Sequence, residues 1–476
     1  MAITSFIYIL FYMIVLIIYY IIPQKAKAPF LTISSLFFYG CWAVWAPFFM
    51  LSYTFLIYFA ARFMSKRNKK IQQLVFLYFI IIACISIYLL MRYTDWVSRI
   101  VSWLAYSNRK NISIIFPLGL SYYMFKSISY LIDIYYEKIL PEKRFDYLLL
   151  HFSLFTEITM GPISRAADFL PQIRHEKHLD PQNIYQSFFF MLWGYVKKLV
   201  IADHIMVYLI QYTSASALTN GLAWLLIALL YLMQLYLDFS GYSDISIAAS
   251  NAFGYEIKPN FQAPFLSKTL SEIWHRWHMS LSHFLGDYVF TPIQLNARFL
   301  GIGASVIATL ITMVLSGLWH GISWKFLIFG LSFGSIMALD ILLAKQRKRF
   351  FKKIPKKANS IFSIIITILL FSLLCVAMWA PNIQDTLKIV FSYILNPTTW
   401  FAPLGLSKSF FLAYFPGIIF VIISHKIELD KKIFITYFFK KTLVIRWIIY
   451  LILLFVIILF QTQGADFSKG FVYEQF

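Results

Sequence analysis

From Phe299 to Leu318 no charged side chain occurs, and nearly every residue is apolar. That is about the 20 residues a helix needs to cross the hydrocarbon core of a bilayer. Comparable runs recur at 3–22, 30–45, 47–64, 73–91, 112–136, 184–210, 222–250, 322–344, 360–380, 406–424 and 443–461. Only 13% of the 476 residues are charged and 60% are hydrophobic. A soluble domain is about 25% charged, so this chain lacks the side chains to cover a water-facing surface. The pattern predicts an all-α integral membrane protein, a multi-span helical bundle of about 11–13 membrane helices. A single polytopic domain over 1–476 is expected, with a catalytic core at 112–344.

The net charge of +21 does not point to nucleic acid. The basic residues sit in short blocks between apolar runs, at Arg62–Lys70, Lys345–Lys357 and Lys426–Lys441. This is the positive-inside pattern, reinforced by attraction to anionic lipid. With Lys25 and Lys27 after the first run, it places the N-terminus outside and Glu137–Arg144 inside. Cys41, Cys84 and Cys375 lie far apart in apolar segments and form no disulfide framework. The first run, Ile3–Ile22, has neither a basic leader nor a small-residue cleavage site, and reads as a retained span.

Three segments interrupt the apolar pattern. FPLGL (Phe116–Leu120) sets Pro and Gly early in a run, EITMGPISR (Glu157–Arg165) ends one at Gly161-Pro162, and WGYVKKLVIAD (Trp193–Asp203) embeds Lys197 and Lys198. Irregular backbone at membrane depth survives only against protein or a water-filled cavity. Short or re-entrant helices are therefore expected here, packed around something other than lipid. No inverted internal repeat stands out.

The polar side chains concentrate in a few places. In WHRWHMSLSH (Trp274–His283), a helix at about 100° per residue puts Trp274, Trp277, His278, Leu281 and Leu285 on one stripe. His278 is then embedded in an apolar face, while His275 and His283 are not. The segment is too short to span and should lie in the interface or dip into the protein. An aromatic belt accounts for Trp274 and Trp277 but does not require His278. In SGLWHGISW (Ser316–Trp324), His320 ends a span-length run between Gly317 and Gly321. An ionisable residue at such depth marks a functional site by default, and a buried neutral imidazole can accept a proton. In QLYLDFSGYSD (Gln234–Asp244), Asp238 and Asp244 fall on different helical faces, against a paired-carboxylate site. Lys126 and Asp133 share a face and are expected to neutralise each other. No Walker A, GxSxG, HExxH or dinucleotide loop is present, nor the histidine spacing of a paired haem site.

An ordered series of motifs resembles the membrane-bound O-acyltransferase family, in particular its bacterial polysaccharide branch of the alginate O-acetyltransferase type. The series is SSLFFYGCW (Ser34–Trp42), PLGLSYYMFKSISYLIDIYY (Pro117–Tyr136), GPISRAADFLPQI (Gly161–Ile173), GYVKKLVIAD (Gly194–Asp203), YLDFSGYSD (Tyr236–Asp244), NFQAPFLSKTLSEIWHRWHMSLS (Asn260–Ser282), SGLWHG (Ser316–Gly321) and FVYEQF (Phe471–Phe476). Where that family continues with Trp, Phe, Arg, Asp, Tyr, this chain has Phe284, Leu285, Gly286, Asp287 and Tyr288, so the arginine is missing. The glycine-rich tail that usually follows is replaced by Thr291–Phe299.

The resemblance implies a helical bundle around a central pore or funnel in the bacterial inner membrane. It implies an acyltransferase moving an acetyl group from a cytoplasmic thioester to an extracytoplasmic cell-envelope polysaccharide. Acetyl-CoA would be the donor substrate, with no cofactor bound, and an SGNH-type acetyltransferase outside the membrane a partner. His320 and His278 become the catalytic candidates, the first as general base and the second as oxyanion donor or positioning group. A covalent acetyl-histidine on His320 is an alternative. Trp274, Arg276, Trp277, Trp319, Asp238 and Ser282 become the substrate-contacting candidates. Within the family, D-alanyl transfer from an acyl carrier protein to teichoic acid is the nearest alternative. Outside it stand an export channel, with the histidines only shaping the pore, and a metal site on His275, His278 or His283, for which no convergent cysteine or carboxylate set appears.

Overall fold

A computed structural model of the chain describes residues 1–94, 116–213, 218–352 and 354–460. The start of the run at 112–115 and the terminal Phe471–Phe476 motif lie outside the described residues. Every regular element among the described residues is a helix. Among the described residues eight helices are long and apolar enough to cross a membrane: Ala46–Ser65, Lys70–Arg92, Gly221–Ala252, Ile302–His320, Trp324–Leu342, Lys356–Trp379, Phe410–Leu429 and Leu443–Phe460. Further runs expected to lie in the membrane form shorter helices. Phe6–Ile21 and Leu120–Tyr135 have 16 residues each, and Gln24–Gly40 has 17. The chain divides into two compact units, Met1–Phe188 with Ser246–Lys258, and Phe189–Ile245 with Pro259–Phe476.

In the first unit, tyrosines supply what lipid cannot. The last carbonyls of a helix have no partner within it. Near the end of Gly221–Ala252, Tyr12 donates to the Ala249 carbonyl at 3.3 Å, Tyr20 to Ala252 at 2.6 Å and Tyr19 to Phe253 at 3.1 Å. The interruption at Phe116–Leu120 takes the form of a turn, with Gly119 in the left-handed region at φ 70°. A Cβ at Gly119 would fall 1.7 Å from the Ile158 carbonyl oxygen, so only glycine fits.

Glu157–Arg165 is also non-helical, and Glu157 through Ile163 are buried. Glu157 anchors it. Its Oε2 accepts from Lys126 Nζ at 2.9 Å and from Ser164 Oγ at 2.7 Å, and Lys126 also donates to the His151 carbonyl at 3.0 Å. Lys126 therefore does not neutralise Asp133, which pairs with Lys138 at 3.3 Å. One helix face brought Lys126 and Asp133 together on paper. The buried broken segment offers the stronger partner, a carboxylate wholly removed from solvent.

In the second unit the Ile302–His320 and Trp324–Leu342 helices form a tight hairpin. A Cβ at Gly317 would lie 2.3 Å from the Phe326 carbonyl, and one at Gly330 would lie 2.5 Å from the Met313 carbonyl. Small residues that let helix backbones touch are how membrane helices gain packing energy. The Trp193–Asp203 segment is not re-entrant. It stays helical, but Val196–Ala202 widens into a π-helix. There Lys197 reaches Asp244 at 2.8 Å, and Lys198 reaches Asp203 at 2.7 Å and Asp238 at 2.6 Å.

Lys126→Met is expected to destabilise the protein by about 3–5 kcal/mol, because it strands the Glu157 carboxylate. Lys126→Met with Glu157→Gln should recover much of that loss. Thermal unfolding of the detergent-solubilised protein reads both.

Candidate active site

The WHRWH segment is not one helix. Leu270–Arg276 and Met279–Leu285 are separate helices, and the chain breaks between them at Trp277 and His278. His278 has φ 46° and ψ 53°, a left-handed conformation uncommon for a side chain with a Cβ. The wheel drawn through 274–285 is therefore wrong in its geometry. His278 faces inward because the break turns it there. It is 3% exposed, whereas His275 and His283 are exposed.

Several groups hold the break. Asn260 accepts the Met279 N–H on its backbone carbonyl at 2.9 Å. Its side-chain oxygen accepts the Ser280 N–H at 3.1 Å and the Ser280 hydroxyl at 2.9 Å, and lies 3.3 Å from His278 Nδ1. Ser282 Oγ donates to the Trp274 carbonyl at 2.6 Å and to the Trp277 carbonyl at 3.1 Å.

His320 is the last residue of the Ile302–His320 helix and is 8% exposed. It lines the same cavity as His278, a space of about 50 Å³. That is well below the several hundred Å³ of a pocket for a drug-sized ligand. Trp274, Trp277, Ser316 and Cys375 also line it, and the remaining wall is aliphatic, aromatic or methionine. Among the described residues no aspartate, glutamate, lysine or arginine lines it. The Trp319 ring sits 4.7 Å from the His320 ring and 5.8 Å from the His278 ring. Phe239 meets His278 edge to face at 4.7 Å. Two imidazoles in one small uncharged space can exchange protons with a neutral substrate and can hydrogen-bond a developing oxyanion. A larger cavity of about 190 Å³ lies around Lys268, Asp340 and Arg347, and neither histidine reaches it.

A sequence model of the membrane-bound O-acyltransferase family matches residues 71–380. The chain belongs to the membrane-bound O-acyltransferase family. It is thus an acyltransferase and a multi-pass membrane protein. Among named relatives, the peptidoglycan O-acetyltransferase of Helicobacter pylori is 28% identical over 406 residues, 78% of this chain and 75% of the relative. An Azotobacter vinelandii protein named "Probable alginate O-acetylase AlgI" is 36% identical over 228 residues, 48% of this chain and 45% of that one. A Streptococcus thermophilus teichoic acid D-alanyltransferase is 30% identical over 253 residues, 51% of this chain and 60% of the relative.

The structure of this family member sorts the residues that sequence singled out. His278, His320, Trp274 and Trp277 meet at the cavity, and Trp319 backs both histidines without lining it. Arg276 does not reach the cavity; it pairs with Glu272 one turn back at 2.7 Å. Asp238 is held by Lys198 and is not part of the wall. Ser282 has its hydroxyl on backbone carbonyls, which makes it a brace for the break. Among the described residues no three His, Cys, Asp or Glu side chains converge to hold a metal, so His275, His278 and His283 form no such set.

Asn260, Ser280 and Cys375 were not singled out by sequence as site residues. Asn260 stood inside a quoted motif, but nothing in one sequence tied it to a residue 18 positions away. Glu428 was likewise missed. It accepts from Tyr236 at 2.5 Å and from the Ala263 N–H at 2.6 Å, steadying the loop that carries Asn260.

Ser282→Ala is expected to cost about 1–3 kcal/mol by freeing two carbonyls at the break. It should lower activity together with thermal stability, both measured on protein purified in detergent.

Proposed function

We propose that this chain moves an acetyl group from acetyl-CoA, presented on the cytoplasmic side of the inner membrane, to hydroxyl groups of an extracytoplasmic cell-envelope polysaccharide. An SGNH-type partner outside the membrane receives the acetyl group or assists its transfer. The observation that carries the reading is the pair of histidines in one small cavity without a charged wall. A thioester carbonyl and a hydroxyl are both neutral, and neither needs a counter-ion there. The hydroxyl oxygen adds to the carbonyl and loses its proton to an imidazole. The tetrahedral oxyanion takes a hydrogen bond from the site, and collapse expels the thiolate, which takes up the hydroxyl's proton from the imidazole. Stabilising the oxyanion alone is worth roughly 3–4 kcal/mol in other acyl-transfer enzymes. The peptidoglycan and alginate relatives support a polysaccharide acceptor.

D-alanyl transfer from an acyl carrier protein is the second reading, kept by the relative of that name. A D-alanyl group brings an ammonium, whose burial without a carboxylate is costly, and the cavity wall supplies none. That favours acetyl. An export channel would need no imidazole pair at all.

Mass spectrometry of envelope polymers from cells carrying His320→Ala tests the reading. Loss of O-acetyl groups from an otherwise exported glycan is expected, and His278→Ala should do the same. Unchanged O-acetylation in His320→Ala cells would discard the proposal. Loss of D-alanyl esters instead would replace it with the second reading, and glycan trapped inside would favour the channel.

A further inference from the structure

Asn260 is 1% exposed, and its hydrogen-bonding groups converge on the break that carries His278. Its amide orientation is not arbitrary. The Ser280 N–H can only donate, so the amide oxygen must face it, at 3.1 Å. The amide nitrogen donates in turn to Ser243 Oγ at 3.2 Å. His278 Nδ1 lies 3.3 Å from that same fixed oxygen. Ser280 Oγ, 3.5 Å from Nδ1, gives its proton to Asn260 and presents a lone pair to the ring. Asn260 Oδ1 and Ser280 Oγ thus both face Nδ1 as acceptors, which places the single hydrogen of the neutral ring on Nδ1.

We infer that Asn260 is a positioning residue that holds His278 in its Nδ1–H form, making Nε2 a proton acceptor and His278 the base for the attacking hydroxyl. The inference rests on the acyl-transfer reading of the cavity. As the hydroxyl oxygen bonds to the thioester carbon, its O–H bond breaks and an N–H bond forms on Nε2. The same proton then passes to the leaving thiolate and the ring returns to neutral. Throughout, Asn260 keeps its hold on Nδ1–H, a contact that strengthens while the ring is charged. A neutral ring in this form has no hydrogen on Nε2 to offer an oxyanion. That task falls to His320, the other imidazole of the cavity, which reverses the roles expected from the resemblance.

The titratable groups around His278 among the described residues lie on the cavity wall and the flanking helices. His320 and Cys375 line the same cavity. Asp238, beside Phe239 on the packed helix, is engaged by Lys198. On the flanking helices Glu272 and Arg276 pair with each other, and His275 and His283 are exposed.

Nitrogen NMR of histidine-labelled protein in detergent, with the His278 signals assigned by difference against His278→Gln, reads the tautomer directly. A protonated Nδ1 and a bare Nε2 are expected at neutral pH. A protonated Nε2 in the wild type overturns the inference whatever the activity. Asn260→Asp supplies the second readout, through thiol release from acetyl-CoA as a function of pH. A carboxylate on Nδ1–H favours the charged ring, so the acid limb of the profile should move up by roughly one pH unit or more. A slower enzyme with an unmoved limb would mean that Asn260 only braces the turn, and would also overturn it. Because the tautomer is read without turnover, retained O-acetylation in His320→Ala cells would sink the proposed function and leave this result separately legible.

Discussion

The hydrocarbon core of a bilayer supplies no hydrogen bond, and this constraint organises the molecule. Each carbonyl beyond a helix end and each buried charge must find its partner within the protein. The two compact units meet the demand differently. In the first, three tyrosine hydroxyls of Phe6–Ile21 take up carbonyls around the end of Gly221–Ala252, and Lys126 locks onto Glu157. In the second, neighbouring lysines of one π-helical stretch each draw in aspartate from Gly221–Ala252. Buried ion pairs contribute little net stability compared with well-packed apolar residues. Their effect is selective: arrangements of the broken segment that strand Lys126 or Glu157 bear the cost of an unpaired buried charge.

The same logic operates at the break between Leu270–Arg276 and Met279–Leu285. A residue with a Cβ in the left-handed region costs roughly 1–2 kcal/mol. A hydrogen bond returns about 0.5–1.5 kcal/mol net, so the contacts from Asn260 and Ser282 suffice to hold His278 there. What the strain achieves is direction. A continuous helix would carry His278 along its surface stripe, whereas the turn sends it into the unit beside Trp319 and Phe239.

The helical membrane class was legible because it depends on run length and the scarcity of charge, which any single sequence displays. The burial of His320 was legible for the same reason, as an ionisable side chain at the end of an uncharged run. His278 was picked out by a wheel that does not exist in the folded chain. The apolar residues around it do surround it, but through a break that periodicity assumes away. Lys126 shows the opposite failure. Its nearest charge on the helix face was Asp133, yet its partner is Glu157, 31 residues away. Partners set by tertiary approach leave no periodic trace, and Asn260 and Glu428 escaped notice for that reason.

The distribution of charge bears on what the site admits. A net +21 is carried largely in blocks between the apolar runs, while the cavity around His278 and His320 has no formally charged wall. On the proposed reading, basic loops would attract the anionic donor at low energetic cost because water still solvates both partners. Drawing that donor's phosphates into the cavity would require burying charges with nothing to pair them. On the proposed reading, a space of about 50 Å³ would take the neutral reactive end of a thioester and leave its charged body outside. Attraction outside and exclusion within would thus act on different parts of one donor molecule. Selection for a small, uncharged acyl group would then precede any specific contact with it.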